Sequence, residues 1–231
     1  MQIAALPEAR SFNHLRFLEL AQYYCDLLSR EGIPALPWQD SSLPHFNRLE
    51  GNRQIALLKC LESQINVVSE ALQNRGSLLD SWSLIWSFLK EMNFVPSSDL
   101  LNHITPDDYI AVYNLQHSML FLSPNHLKLM SYSLEDLYCR SWMEIFTRDE
   151  RITKVLMERA ISFGQGKRRQ TLSNEDVPPH FLAENQSPGM RIATCRSKAY
   201  SPIFQNGVPV GYISVNQTTA SVSRVMPRPS V

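Results

Sequence analysis

The 231-residue chain has no local grouping of its cysteines, no excess of either charge, few glycines and no long apolar run. Each absence removes a class of protein. Cys25, Cys60, Cys139 and Cys195 form no CxxC or CxH pattern, which argues against a structural zinc site and a disulfide framework and fits a reducing compartment. Lys plus Arg equals Asp plus Glu, at 22 each, so no overall field draws the molecule to nucleic acid or an anionic membrane. The local basic run "KRR", Lys167 to Arg169, reads as a solvated loop. The opening "MQIAALPEARSF" has no basic stretch leading into an apolar run and is not a signal peptide. The apolar segment "LLDSWSLIWSFL" is interrupted by Asp80 and serines and is too short to span a bilayer. GxSxG, HExxH, P-loop and dinucleotide patterns are missing too. Acidic clusters "PDD", "LED" and "RDER" fall where carboxylates complement helix starts, and Cys195 has no neighbouring His to activate it. The expectation is a soluble, non-enzymatic, cytoplasmic protein (nuclear if the source is eukaryotic), with no membrane partner.

What is present is an ordinary globular composition, 44% hydrophobic and 19% charged, ample for a core. From Ser11 to about Asn102 the period is helical. Leu20, Tyr24, Leu27 and Leu28 recur at helical spacing in a first segment that Gly32 stops. Pro34, Pro37 and Pro44 exclude helix from the next stretch. Leu58, Leu61, Ile65, Val68 and Leu72 mark a second helix, closed by "NRG". A third, from Ser77 as N-cap, carries the stripe Trp82, Ile85, Trp86, Leu89 and Met92, and its breadth demands cover on most sides.

Past Asp108 the period falls to two. "YIAVYNL" and "SMLFLS" alternate around a turn, and Pro124 and Ser133 with Asp136 start short helices. "DERITKVLMERAISFG" is a longer amphipathic helix ending at Gly164, and a Pro-, Asn- and Gly-rich loop runs to about Gly189. Two strands, "RIATCRSKAYSPIF" and "VPVGYISVNQT", meet at Asn206-Gly207, a strong hairpin signal. Strands at both ends with helices gathered between them make an α+β unit.

Tyr109 to Thr219 resembles a PAS domain. "AVYN", "LQHS" and "MLFLSPN" stand for the family's opening hairpin, "LMSYSLEDLYCRSW" for its "LGYSxEELxGRS" helix, "IFTRDER" for its "xPDDR" turn, and "SPIFQNGVPVGYISV" for its closing hairpin. Glycines of the family are replaced by His117, Ser131 and Cys139, sites where positive φ is common. The resemblance implies a five-stranded antiparallel sheet with helices on one face, spanning residues 105–220, preceded by an all-α helical region (1–104) and followed by a flexible tail (221–231).

It also implies either a filled core or a small-molecule cavity beneath the helices. The inward residues would be Val112, Leu120, Leu122, Trp142, Ile145, Phe146, Leu156, Ile192 and Ile213, with Thr194, Tyr200 and Ser214 as the polar groups. No cofactor is identified. A flavin photosensor would need the Asn and Phe-Leu-Gln that "YCRSWMEIF" lacks, so Cys139 reads as a structural thiol. A haem member would draw a ligand from the connector helix, which has no histidine; His126 and His180 read as surface residues. The function expected is a sensory or regulatory signalling module acting through protein contacts, as a homodimer or with a partner protein, with Trp82, Trp86 and Leu89 as the binding surface. A transcriptional regulator and a ligand-binding enzyme or carrier are the alternatives. The helices are not basic enough to favour nucleic acid.

Overall fold

The computed structural model of the chain describes residues 11–74, 76–185, 187 and 189–223, with side chains described through 218. The last residues of the expected tail lie outside them. Helix α1 (Phe12–Arg30) is capped by Ser11, whose side chain accepts from the His14 amide. It stops at Gly32, φ 66°, where Gly32 and Ile33 amides donate back to Ser29 and Leu28, a Schellman closure. The proline-containing link that follows stays irregular and holds one short 3-10 turn, Phe46–Arg48. Helix α2 (Gly51–Gln73) buries Leu58, Leu61, Ile65 and Val68. Helix α3 (Ser81–Glu91) begins later than its sequence suggests: Asp80 caps it through the Ser83 amide, while Ser77 only turns the chain at Leu79.

The strands and helices that follow are β1 (Val95–Pro96), β2 (Tyr109–Asn114), β3 (Met119–Leu122), α4 (Pro124–Leu127), α5 (Leu134–Cys139), α6 (Trp142–Ile145), β4 (Phe146–Thr147), α7 (Glu150–Gly164), β5 (Leu172–Ser173), β6 (His180–Glu184), β7 (Arg191–Gln205) and β8 (Val208–Ser223). They form one antiparallel sheet in the order β3-β2-β8-β7-β6-β4, with β1 and β5 also paired to β7. Eight strands thus replace the five expected. The long β7 explains the difference, because it pairs successively with β6, β5 and β1 along its length. The stretch 164–189 is accordingly not all loop: β5 and β6 lie within it, too short and too close to Pro178 and Pro179 to show a clear alternation.

Turn chemistry fixes the register at both hairpins. Asn206 and Gly207 adopt φ 52° and 77° between β7 and β8. His117 adopts φ 63° in the β2–β3 turn, so the non-glycine residue does occupy a left-handed site; Ser131 and Cys139 do not. Where β8 crosses β2, a Cβ on Gly211 would lie 2.0 Å from the Tyr113 carbonyl oxygen, and only glycine allows that approach.

Helices cover both faces of this sheet, not one. Phe88 of α3 packs on Phe121 of β3 with ring centroids 4.8 Å apart, which marks one face. Helix α7 lies against β7 and β8, and Phe163 approaches Tyr212 on the other. A single continuous core runs from Phe17 of α1 through Ile85 and Phe88 to Tyr212 and Val215. At its centre the fully buried Gln64 of α2 donates to the Tyr24 hydroxyl and to the Leu122 carbonyl, both at 2.7 Å, and accepts from the Tyr138 hydroxyl.

Leucine at position 64 would have nearly the same volume but strand those buried partners, at about 1–3 kcal/mol for each unsatisfied group. Gln64→Leu is therefore expected to lower stability by roughly 3 kcal/mol or more in urea unfolding, although it makes the core more apolar.

Candidate functional site

The face of the sheet beneath α4–α7 carries a band of polar aromatic side chains. Tyr113 on β2 pairs across to Tyr212 on β8, and Tyr200 on β7 pairs to Ser214. The Tyr212 ring lies 5.3 Å from both Tyr113 and Tyr200. Its hydroxyl accepts from Trp142 Nε1 at 2.8 Å and sits 3.0 Å from His117 Nδ1. With the hydroxyl oxygen accepting from Trp142, its proton can be donated to Nδ1 in the neutral tautomer that carries hydrogen on Nε2. Burial lowers the His117 pKa, in keeping with that neutral form.

Between this band and the helices lies a pocket of about 50 Å³. Its floor includes Tyr113, Tyr200, Cys195, Ser214 and Asn216, and its walls include Trp142, Phe146, Arg148 and His126. Of the residues expected inside, Trp142, Phe146, Tyr200 and Ser214 line the pocket. The others do not. Val112 and Ile213 are cross-strand partners on the face that Phe121 shares, turned toward α3. Ile145, Leu156 and Leu122 are buried in the core beside the pocket, and Leu120 lines a groove with Arg53 and Leu57 of α2.

Ile192 and Thr194 miss the pocket for a specific reason. Counting back by twos from Tyr200 turns them inward, but Ser197 pairs with Asn216 and Ala199 with Val215, leaving Lys198 as an extra residue. This bulge reverses the alternation and brings Ala193 and Cys195 inside instead. The bulge is anchored: Lys198 Nζ bonds the fully buried Asp108 at 2.6 Å, and the Lys198 carbonyl accepts from the Asn174 amide at 2.7 Å. Apolar character could not have signalled the right face, since helices bury both.

Burial favours the neutral forms of the thiol and the tyrosine hydroxyls of this pocket. The Cys195 thiol is pushed up to about 11 and Tyr113 is raised as well, desolvation being the largest cause in each. His126 and His180 are 8% and 7% exposed and not surface residues. Burial pushes His126 down to about 4; its ring lies 5.0 Å from Tyr109, and its Nδ1 is buried without a partner. Trp82 and Trp86 contact each other edge-on at 5.9 Å and stay partly exposed, whereas Leu89 is in the core and offers no surface. The described residues contain no group of His, Cys, Asp and Glu suited to a metal ion and no helix long and apolar enough to cross a membrane.

Comparison with protein-family models, with curated proteins and with solved structures gives no match.

His126 predicts a pH dependence. Its ordinary value is 6.5 and its folded value about 4, so between these the unfolded chain binds more protons and stability falls as the solution is acidified. The loss, fully developed below the lower value, is on the order of 3 kcal/mol. Glu135, whose carboxyl is raised chiefly by burial, acts in the opposite sense, so the comparison must be with a variant. His126→Leu is expected to flatten the stability profile over that window in denaturant titrations at stepped pH; an unchanged slope would assign the acid limb elsewhere.

Proposed function

We propose that the chain is a diverged PAS-type sensory or regulatory module, in which a small molecule held between the sheet and α4–α7 alters what the N-terminal helices present to a partner protein or a second copy. The observation that carries this reading is a run of hydrogen bonds from the pocket wall to α2. Trp142, a wall residue, bonds Tyr212 through its indole, and its amide donates to the His117 carbonyl at 3.2 Å. The next residue, Ser118, just ahead of β3, accepts through its hydroxyl from Arg53 of α2 at 3.0 Å. A second tie joins α5 to the same helix through Tyr138 and Gln64. Helices that share buried polar contacts with a ligand pocket respond to its occupancy when the two arrangements differ little in free energy.

The output surface in this reading is the partly exposed Trp82–Trp86 pair of α3. Burial of all four cysteines as free thiols suits the reducing cytoplasm that the reading assumes.

A thermal-shift screen of small metabolites on the full chain, followed by hydrogen exchange with each hit, tests it. A ligand at about a hundredfold excess over its Kd adds ~2.7 kcal/mol. The expected result is a compound that raises Tm, slows exchange in α2 as well as around the pocket, and loses both effects in the pocket-filling variant Ser214→Leu. Hits whose effects survive Ser214→Leu, or whose binding leaves α2 exchange untouched, would contradict the proposal.

A further inference from the structure

Most arginines with a recorded polar contact in this fold are occupied by protein. Arg16 pairs with Glu62 at 2.8 Å, Arg140 with Asp136 at 3.3 Å and Arg159 with Asp176 at 2.5 Å. Arg191, in the pocket wall, donates to the Lys128 and Met130 carbonyls, both at 2.9 Å. The nearby Glu184 is consumed as well, accepting from the Ser131 amide and hydroxyl, the Ser187 hydroxyl and the Arg191 amide.

Arg148 is different. It sits in the link between β4 and α7, and its guanidinium lies over the Trp142 ring at 4.7 Å from the centroid. Its Nε is buried without a hydrogen-bond partner. Among the described residues no ion pair joins it to a carboxylate. The side chain nonetheless borders the pocket, as part of its lining together with Trp142. Arg148 is half-buried, its Nε is desolvated without a partner, and the planar pair of donors that its fork presents matches a carboxylate.

Size narrows the choice further. The pocket volume of about 50 Å³ accepts only a few water-sized groups, at roughly 10–15 Å³ each. Glu184 in the wall disfavours a dianion such as phosphate. Trp142 and Tyr113 offer flat apolar surface, and the unpartnered Nδ1 of His126 offers one more polar contact.

We propose that this pocket binds a short-chain monocarboxylate of about three or four carbons, with its carboxylate on Arg148 and its body against Trp142 and Tyr113. The proposal deepens the sensory reading and rests on it only for the consequence of binding, not for binding itself.

The test is a titration of the full chain with propionate, butyrate and pyruvate, and with the uncharged propionamide, following the arginine Nε–Hε signals by NMR. The expected result is a saturable shift of the Arg148 signal with the acids, absent with the amide. Binding should weaken roughly tenfold to a hundredfold in Arg148→Gln, recover in part in Arg148→Lys, and persist in Lys154→Gln on the exposed side of α7. If Arg148→Gln fails to fold, the acid-against-amide comparison on the wild-type signal decides alone. Acids that never move the Arg148 signal, or that bind Arg148→Gln unweakened, would overturn the proposal. Hydrogen exchange on the same samples separates the two ideas: acid binding at Arg148 without change in α2 keeps the site and removes the sensory reading, while a neutral ligand that protects α2 does the reverse.

Discussion

The side-chain amide of Gln64 is the constraint around which the two halves of the chain are arranged. It is fully buried, and its two N–H groups and its oxygen meet a tyrosine from α1, a backbone carbonyl from β3 and a tyrosine from α5. A buried amide is tolerable only when satisfied, and here satisfaction requires elements far apart in sequence to be in place together. The polar contacts around it extend the same logic. Glu135 of α5 accepts from the His45 and Phe46 amides in the link after α1, and Gln39 donates to Asp136. The N-terminal helices are therefore packed on the sheet as part of one core, and a change at the far face has a polar route to them.

That arrangement leaves the opposite face of the sheet with a different task. Tyr113, Tyr200 and Tyr212 pack ring against ring there and the Tyr212 hydroxyl is bonded to Trp142 and His117, yet a pocket persists with a cationic side chain in its wall. Close packing would ordinarily remove such a space, and an unpaired guanidinium would ordinarily find a carboxylate. Their coexistence at one spot, beside a wall hydrogen-bonded toward α2, is what joins the binding proposal to the regulatory one.

Much of the architecture is legible from residue patterns alone: the stop at Gly32, the Ser133–Asp136 capping box and the Asn206-Gly207 hairpin. The left-handed turn at His117 is legible as well, because its place in the hairpin demands that conformation whatever residue fills it. A third of the expected set lines the pocket, namely Trp142, Phe146, Tyr200 and Ser214. Ile192 and Thr194 are displaced by the bulge at Lys198, which is anchored to Asp108 ninety positions away. Val112 and Ile213 are misplaced because helices bury both faces of the sheet, so apolar character does not say which face holds the pocket. Arg148 escapes notice since nothing local distinguishes it from a surface arginine in an acidic turn; its buried, unpartnered Nε in the pocket wall singles it out.

The central claim is that the helical and sheet halves form one cooperative unit through the Gln64 node. Native-state hydrogen exchange across a denaturant series measures this most directly. Amides in the middle of α2 and of β8 should converge on the same opening free energy, and a Tyr138→Phe chain, which removes one bond at the node, should lower both equally. If α2 opens at markedly lower free energy than β8, or if the substitution weakens one and spares the other, the halves are separate units and the coupling described between pocket and helices does not exist.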